Sequence, residues 1–326
     1  MTGATGFVGS HTAAHFLSNG WRVKALVRRP GVPSLLPAGA EVVRGDVLDA
    51  ASYRTALDGC DAVVHAAGLV KARTRDEYIA VNAGGAAAVA RAAAEACPRA
   101  MFVLVSSQAA AGPARDGVPV RESDPPRPVS WYGESKLAGE REVERHVRGP
   151  WCSVRPSAVH GRGDPGVLEL FKPVQLGIAP ILAGGRARVH LIGVGDLARV
   201  LVAAAARPDL SGRRGFAAGD VVSLRELMTF LATDLRRKPA WRVPVPAAAV
   251  RAAGLWESLR QAVTRRARPF NRDKARELLQ PDWLCDAKPF LGDLGVVDLG
   301  GWREQVRDTC RCYVEAGWLR RDVWAV

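Results

Sequence analysis

The chain has 326 residues, 48% of them apolar, which is enough to bury a sizeable core and excludes global disorder. Its formal net charge of +13 rests on 39 arginines against seven lysines. These arginines are spread along the chain without a dense run interleaved with aromatics, which argues against a nucleic-acid partner. In chain order, strands are expected at 23–27, 41–43, 62–65, 101–105 and 152–155, with helices at 12–18, 51–57 and 77–96 between them. The run at 101–105 is short and uncharged, as in a strand buried on both faces. Gly84-Gly85 weakens the 77–96 helix locally and points to close packing there. Past a Gly/Pro-rich stretch at 156–180, helices are expected at 196–206, 224–235 and 247–263. The alternation predicts an α/β protein with a doubly wound, Rossmann-type parallel sheet. Residues 1–156 form the dinucleotide-binding domain in this reading, and 157–326 a smaller substrate cap with segments returning to the sheet.

The opening Met1-Thr2-Gly3-Ala4-Thr5-Gly6-Phe7-Val8-Gly9-Ser10 carries three glycines at three-residue spacing before a helix. Gly3 suits a tight turn, Gly6 a close backbone approach to a pyrophosphate, and Gly9 close helix–strand packing. Backbone N–H groups from Phe7 and Val8 onward can then hold phosphate oxygens at the helix start. Such a loop follows a strand, and Met1 stands where that strand's last residue belongs. The natural reading frame is therefore expected to begin several residues upstream.

An NAD-preferring fold places an acid roughly 20 residues past the glycines, to accept from the ribose hydroxyls. Here the second strand ends Val27-Arg28-Arg29, without a carboxylate. A guanidinium fork suits a 2′-phosphate, so NADP(H) is favoured over NAD(H). Asp46, in Gly45-Asp46-Val47, is a candidate for the adenine end and equally an ordinary turn carboxylate.

The sharpest signal is Tyr132-Gly133-Glu134-Ser135-Lys136. Tyr and Lys four apart share a helix face, so the ammonium can favour the phenolate and lower the tyrosine pKa for proton transfer. The same lysine can reach the nicotinamide ribose. The six cysteines are irregularly spaced, which offers neither a disulfide framework nor a metal site. No apolar run approaches the roughly 20 residues needed to span a bilayer. A cytoplasmic protein with reduced thiols is the expectation.

The order TGATGFVGSH, VVHAAG, VLVSSQAAAG, WYGESKLAGE and RPSAVHGRGD resembles the extended short-chain dehydrogenase/reductases, the NAD(P)-dependent epimerase/dehydratase family. The likeness runs from Gly3 to Asp164 and more loosely beyond. It implies that Tyr132 is the general acid/base, Lys136 its activator and Ser107, rather than Ser106, the residue that orients the substrate oxygen. It further implies that His65, Ala66, Ala67 and Gly68 line the cofactor, that Asn82 supports the site, and that Arg155-Pro156 leads from the nicotinamide pocket to the substrate loop. Gln108-Ala109 stands where dehydratases of the group carry an acidic pair, which disfavours dehydration. His160 stands where relatives often have a tyrosine, and is read either as a substrate contact or as a packed loop residue. Trp131 is a candidate wall of the substrate cleft.

The function implied is hydride transfer between a nicotinamide and a small-molecule ketone or secondary alcohol. The alternatives are a nucleotide-sugar epimerase with retained NAD and a non-catalytic dinucleotide-binding protein. Related enzymes often pair through two long helices, here 77–96 and 132–146, so a homodimer is implied. The 247–263 helix sets apolar residues beside Arg251 and Arg260. It reads more simply as a cap helix than as a membrane contact, and no membrane partner is expected.

Overall fold

A computed structural model describes residues 1–29, 31, 35–268 and 270–326. The first half contains α1 (Phe7–Ser18), β1 (Lys24–Val27), β2 (Glu41–Arg44), β3 (Ala62–His65), α2 (Arg75–Ala96), β4 (Met101–Val105), α3 (Gln108–Ala111), α4 (Trp131–His146) and β5 (Trp151–Pro156). Then come β6 (Ala158–His160), α5 (Leu168–Gln175), β7 (Ile178–Leu182), β8 (Arg188–Gly193), α6 (Val194–Ala205), β9 (Arg213–Ala217) and β10 (Val221–Ser223). The last part holds α7 (Leu224–Thr229), β11 (Trp241–Val245), α8 (Ala247–Thr264), α9 (Arg272–Leu278), β12 (Asp282–Trp283), α10 (Lys288–Leu294) and α11 (Trp302–Glu315).

The main sheet is parallel, with β1 paired to β2 and β3-β4-β5-β9 in that order. Thr2 joins the two halves by bridging to Leu26 on one side and His65 on the other. Leu26 N donates to Met1 O at 2.8 Å, Thr2 N to Val64 O at 3.0 Å and Ala66 N to Thr2 O at 3.2 Å. These two residues therefore act as a short strand at the point where the winding reverses, which is where doubly wound sheets place their ligands. Beneath Met1, a cleft of about 620 Å³ continues between β1 and β3, lined in part by Phe16, Trp21 and Val64.

Helices cover both faces. On one, α1 and α6 bury Phe16, Leu197 and Leu201 with Val103 and Phe216 of the sheet. On the other, α2 and α4 bury Val89 and Val143 against Val63, Phe102 and Leu104. All of β4 and β5 is buried, as their uncharged or paired side chains require. Thr74 caps α2 by accepting from Glu77 N, and Asp76 and Glu77 complement the helix dipole there. Gly139 brings α4 against α2, since a Cβ there would lie 3.0 Å from Asn82 O. Gly85 is buried under Val47 and His65, the close packing that its position in a helix implied.

Two of the expected helices, one in each half, are not regular α-helices. Residues 51–57 fold as two short 3₁₀ turns, Ala50–Ser52 and Arg54–Leu57. The 224–235 helix ends early and widens into a π turn at Phe230–Asp234. The 156–180 stretch contains β6, α5 and the start of β7. A small sheet orders β10-β8-β12, with β6 also on β8, and β11 pairs with β7 in a separate ribbon. A third core of Phe171, Leu231, Tyr313 and Trp324 sits under these elements.

Candidate active site

The glycine loop is shaped by steric necessity. Gly3 has φ +70°, and a Cβ there would sit 2.6 Å from Ala66 C and Ala67 N. A Cβ on Gly9 would collide with Gly3 O, whereas at Gly6 the nearest atom is 3.3 Å away. Gly3 and Gly9 thus close the turn on itself, and Gly6 leaves its outer side clear. Ser10 N makes the first intrahelical bond, to Gly6 O. The amides of Phe7, Val8 and Gly9 come before it, and α1 has neither a capping side chain nor an acid in its first turn. These donors and the clear face at Gly6 fit a dinucleotide pyrophosphate.

Around this loop, Thr2 accepts from Ala67 N at 3.2 Å and lies 2.8 Å from His65 Nδ1. Burial lowers the His65 pKa to about 3, so the ring is uncharged. Its far edge points at Gly85 in the interior, while Ala66 and Ala67 press their backbone on Gly3. Arg28 and Arg29 end β1 exposed. Asp46 accepts from Leu48 N at 3.0 Å and lies 3.9 Å from Arg28 Nη1. Val47 packs on α2 and accepts from Tyr53 Oη at 3.2 Å.

The residues expected to carry catalysis come together where β4 ends beside α4. Ser107 is half-buried and hydrogen-bonded to the Tyr132 hydroxyl, while Ser106 turns inward to donate to Glu140 Oε1 at 2.6 Å. Lys136 is buried and donates to Val105 O at 2.6 Å. Asn82 accepts from Leu69 N at 2.7 Å and donates to Ser135 Oγ at 2.8 Å, locking the loop after β3 to α4. A Cβ on Gly68 would lie 2.9 Å from Asn82 Oδ1, so a side chain there would displace the amide that holds this loop, while Lys136 Nζ at 3.7 Å leaves ordinary contact distance.

The electrostatics differ from expectation in one respect. Burial pushes the Tyr132 pKa up to about 12, outweighing the Ser107 hydrogen bond, so the phenol is held protonated. Burial also pulls Lys136 down to about 8, against the pull of Glu140. Since the unfolded lysine titrates near 10.5, the unfolded chain binds the extra proton between about pH 8 and 10.5. Stability then rises with pH in that window, and the full cost of the buried ammonium is present below it. Lys136→Met is expected to stabilise the nucleotide-free protein at pH 7 by on the order of 1–3 kcal/mol, the lost Val105 hydrogen bond offsetting part of the gain. The gain should vanish above pH 10. Urea midpoints at the two pH values test this, and an equal gain at both would be inconsistent with it.

Arg155, expected beside the nicotinamide, is 1% exposed and donates to both Glu140 oxygens, at 2.9 and 2.7 Å. Its guanidinium lies over Phe216, so this side chain is committed to a buried ion pair. Pro156 ends β5 opposite Ala217. His160 is buried, 3.0 Å from Thr309 Oγ1, which matches the packed reading. Trp131 is 37% exposed beside Tyr132.

Two residues escaped the sequence reading. Asp273, in α9, accepts from Trp131 N at 3.0 and 3.1 Å, and Glu277 accepts from the N-cap Ser130 at 2.5 Å. Together they terminate α4 from a distance of some 140 residues in sequence. Their one local signal is Asn271, which caps α9 by accepting from Lys274 N.

With this geometry in place, comparison with known proteins gives the class. Residues 1–218 match the model of the NAD dependent epimerase/dehydratase family. The chain is 34% identical over 333 residues to the ceramide reductase of Caulobacter vibrioides, covering 100% of this chain and 97% of that protein. It is 30% identical over 277 residues to the 4-hydroxy-2-methyl-3-oxo-4-farnesyl-3,4-dihydroquinoline-1-oxide ketoreductase of Stigmatella aurantiaca, covering 82% of each. MoeE5 in complex with UDP-glucose and NAD shares the fold, with a TM-score of 0.75, 24% identity and coverage of 97% of this chain and 98% of that one. The chain belongs to the NAD dependent epimerase/dehydratase family and is an NAD(P)-dependent oxidoreductase of the extended short-chain dehydrogenase/reductase type.

Proposed function

We propose that the protein reduces a ketone carried on a long apolar lipid of the ceramide type, with NADPH as the exchanging cofactor. The observation that carries this reading is the placement of Tyr132 one turn before the buried Lys136 on α4, where Lys136 donates to Val105 O at the end of β4, two residues before Ser107. NADPH, when bound, supplies the hydride. Ser107 and Tyr132 bind the carbonyl oxygen, and as negative charge develops there Tyr132 gives up its proton, completing a secondary alcohol. Lys136, one helical turn away on the same face, offsets the charge left on the phenolate. The relatives named for ceramide and for a farnesyl quinoline support an apolar substrate. For the cofactor, Gly3, Gly6, Phe7, Val8 and Gly9 hold the pyrophosphate, Ala66, Ala67 and Gly68 line the loop, and Asn82 braces it. Arg28, with 70% of its side chain exposed, selects the 2′-phosphate, and Asp46 orients Arg28. A cytoplasmic location and a homodimer through α2 and α4 complete the proposal.

The test is NADPH consumption by the purified protein with a ketone-bearing ceramide-type lipid, a short-chain ketone and UDP-glucose. Loss of NADPH with the lipid alone is expected. Arg28→Asp should raise KM for NADPH about tenfold or more, since it removes a charge-assisted phosphate contact, while sparing NADH. Tightly held NAD in near-stoichiometric amount, with no NADPH consumed, would instead favour the epimerase.

A further inference from the structure

Helix α8 turns most of its apolar side chains outward. Its inward side buries Val250, Gly254 and the polar Gln261, which donates to Arg73 O at 3.0 Å and accepts from Arg268 N at 2.9 Å. Ser258 accepts from Arg272 N at 2.9 Å, and Glu257 pairs with Arg260 at 2.7 Å. Its outward side is apolar. Ala248, Ala252, Leu255, Trp256, Leu259 and Val263 fall within an arc of roughly 100° at helical spacing, with no polar residue among them. Leu255 is 49% exposed, Trp256 63%, Leu259 63% and Val263 84%. The preceding strand β11 adds Trp241 at 82% and Val243 at 41%. A surface helix ordinarily shows the reverse pattern, and an apolar patch of this kind marks an interaction site.

The charges around the patch choose the occupant. Residues 241–272 hold seven arginines and a single acid, Glu257, which is already paired. Arg251 and Arg260 border the apolar arc on either side, and Arg265 and Arg266 stand exposed beyond the helix end. A second copy of this chain would bring the same arginines face to face across a two-fold axis, which repels. Apolar side chains and a tryptophan edged by arginines match a bilayer with anionic headgroups.

We infer that α8, with the exposed side of β11, rests on an anionic lipid surface. The contact sits close to the active site, since Gln261 holds the residue before the Thr74 cap of α2, and α9, packed on α8 at Gly254, carries the carboxylates that terminate α4. It stands apart from the substrate reading, because vesicle binding needs no turnover.

Flotation of the full chain with phosphatidylcholine vesicles, with and without phosphatidylglycerol, tests it. The protein should rise with the mixed vesicles and stay below with the neutral ones. Arg251→Gln/Arg260→Gln should weaken binding by about thirty-fold, the effect of removing two basic residues near an anionic surface. Leu255→Ser/Leu259→Ser/Val263→Ser should abolish it; these exposed positions leave folding intact, checked by thermal melting and NADPH binding. A wild-type protein that ignores both vesicle types, or an arginine pair variant that binds unchanged, overturns the inference. So does a dimer that the triple variant dissociates in the absence of flotation, which assigns the face to a second copy.

Discussion

Tyr132→Phe lowers kcat by about 10²- to 10⁴-fold, the range for loss of a positioned general acid. The substitution removes the hydroxyl alone. The ring keeps its place 6.0 Å from Tyr78, tilted at 59°, and the backbone cap from Asp273 is unaffected. The Kd for NADPH should therefore stay near the wild-type value, because the glycine loop and Arg28 bind the nucleotide without Tyr132. Residual activity should come from Ser107, which still donates to the carbonyl oxygen. Single-turnover measurements separate the two effects: a slow hydride step with unchanged nucleotide affinity is expected. Wild-type kcat in the variant would remove Tyr132 from the chemistry and leave the site without an acid.

Glu140→Ala should cost about 3–5 kcal/mol of stability, the range for stripping one partner from a buried ion pair. Glu140 is 0% exposed and takes two hydrogen bonds from Arg155 and one from Ser106, with Arg214 3.8 Å away. Removing it leaves a buried guanidinium without its anion between β5 and α4, and takes from the Ser106 hydroxyl its one hydrogen bond among the described contacts. Denaturant unfolding at neutral pH measures the loss. Glu140→Ala/Arg155→Met should recover part of it, since it removes the unpaired buried charge and leaves only the space at position 140 unfilled. A double variant no more stable than Glu140→Ala would place the cost in cavity formation instead.

Most of the first half was legible because its signals are local. β3 and β4 match the expected spans to the residue, and β5 to within one at either end, since short, mostly apolar runs buried on both faces leave little choice. The Tyr132–Lys136 spacing placed both groups on one helix face. What it could not show was which influence governs Tyr132, because desolvation depends on the walls that the rest of the fold builds. Arg155 was misplaced for a similar reason: its partner Glu140 lies on a helix facing the strand, and nothing in a strand sequence reports that. The small sheet of β10, β8 and β12 was illegible, being made of strands of two to six residues whose partners lie up to 94 positions away. Asp273 and Glu277 were invisible because they act on α4 only through the return of the chain.

The dependence of α4 on α9 also bears on how such a fold can diversify. Substrate caps are natural places for exchange between relatives, since a new cap brings a new specificity. Here α9, in the segment expected to form the cap, also supplies the acceptors for Ser130 and Trp131 at the start of α4. A graft that swaps residues beyond 270 without matching carboxylates leaves that helix start unterminated, and the recombinant would lose catalysis before it gained a substrate. Point changes around an intact Asp273–Glu277 pair are expected to alter the cap with less damage to α4 than its wholesale replacement.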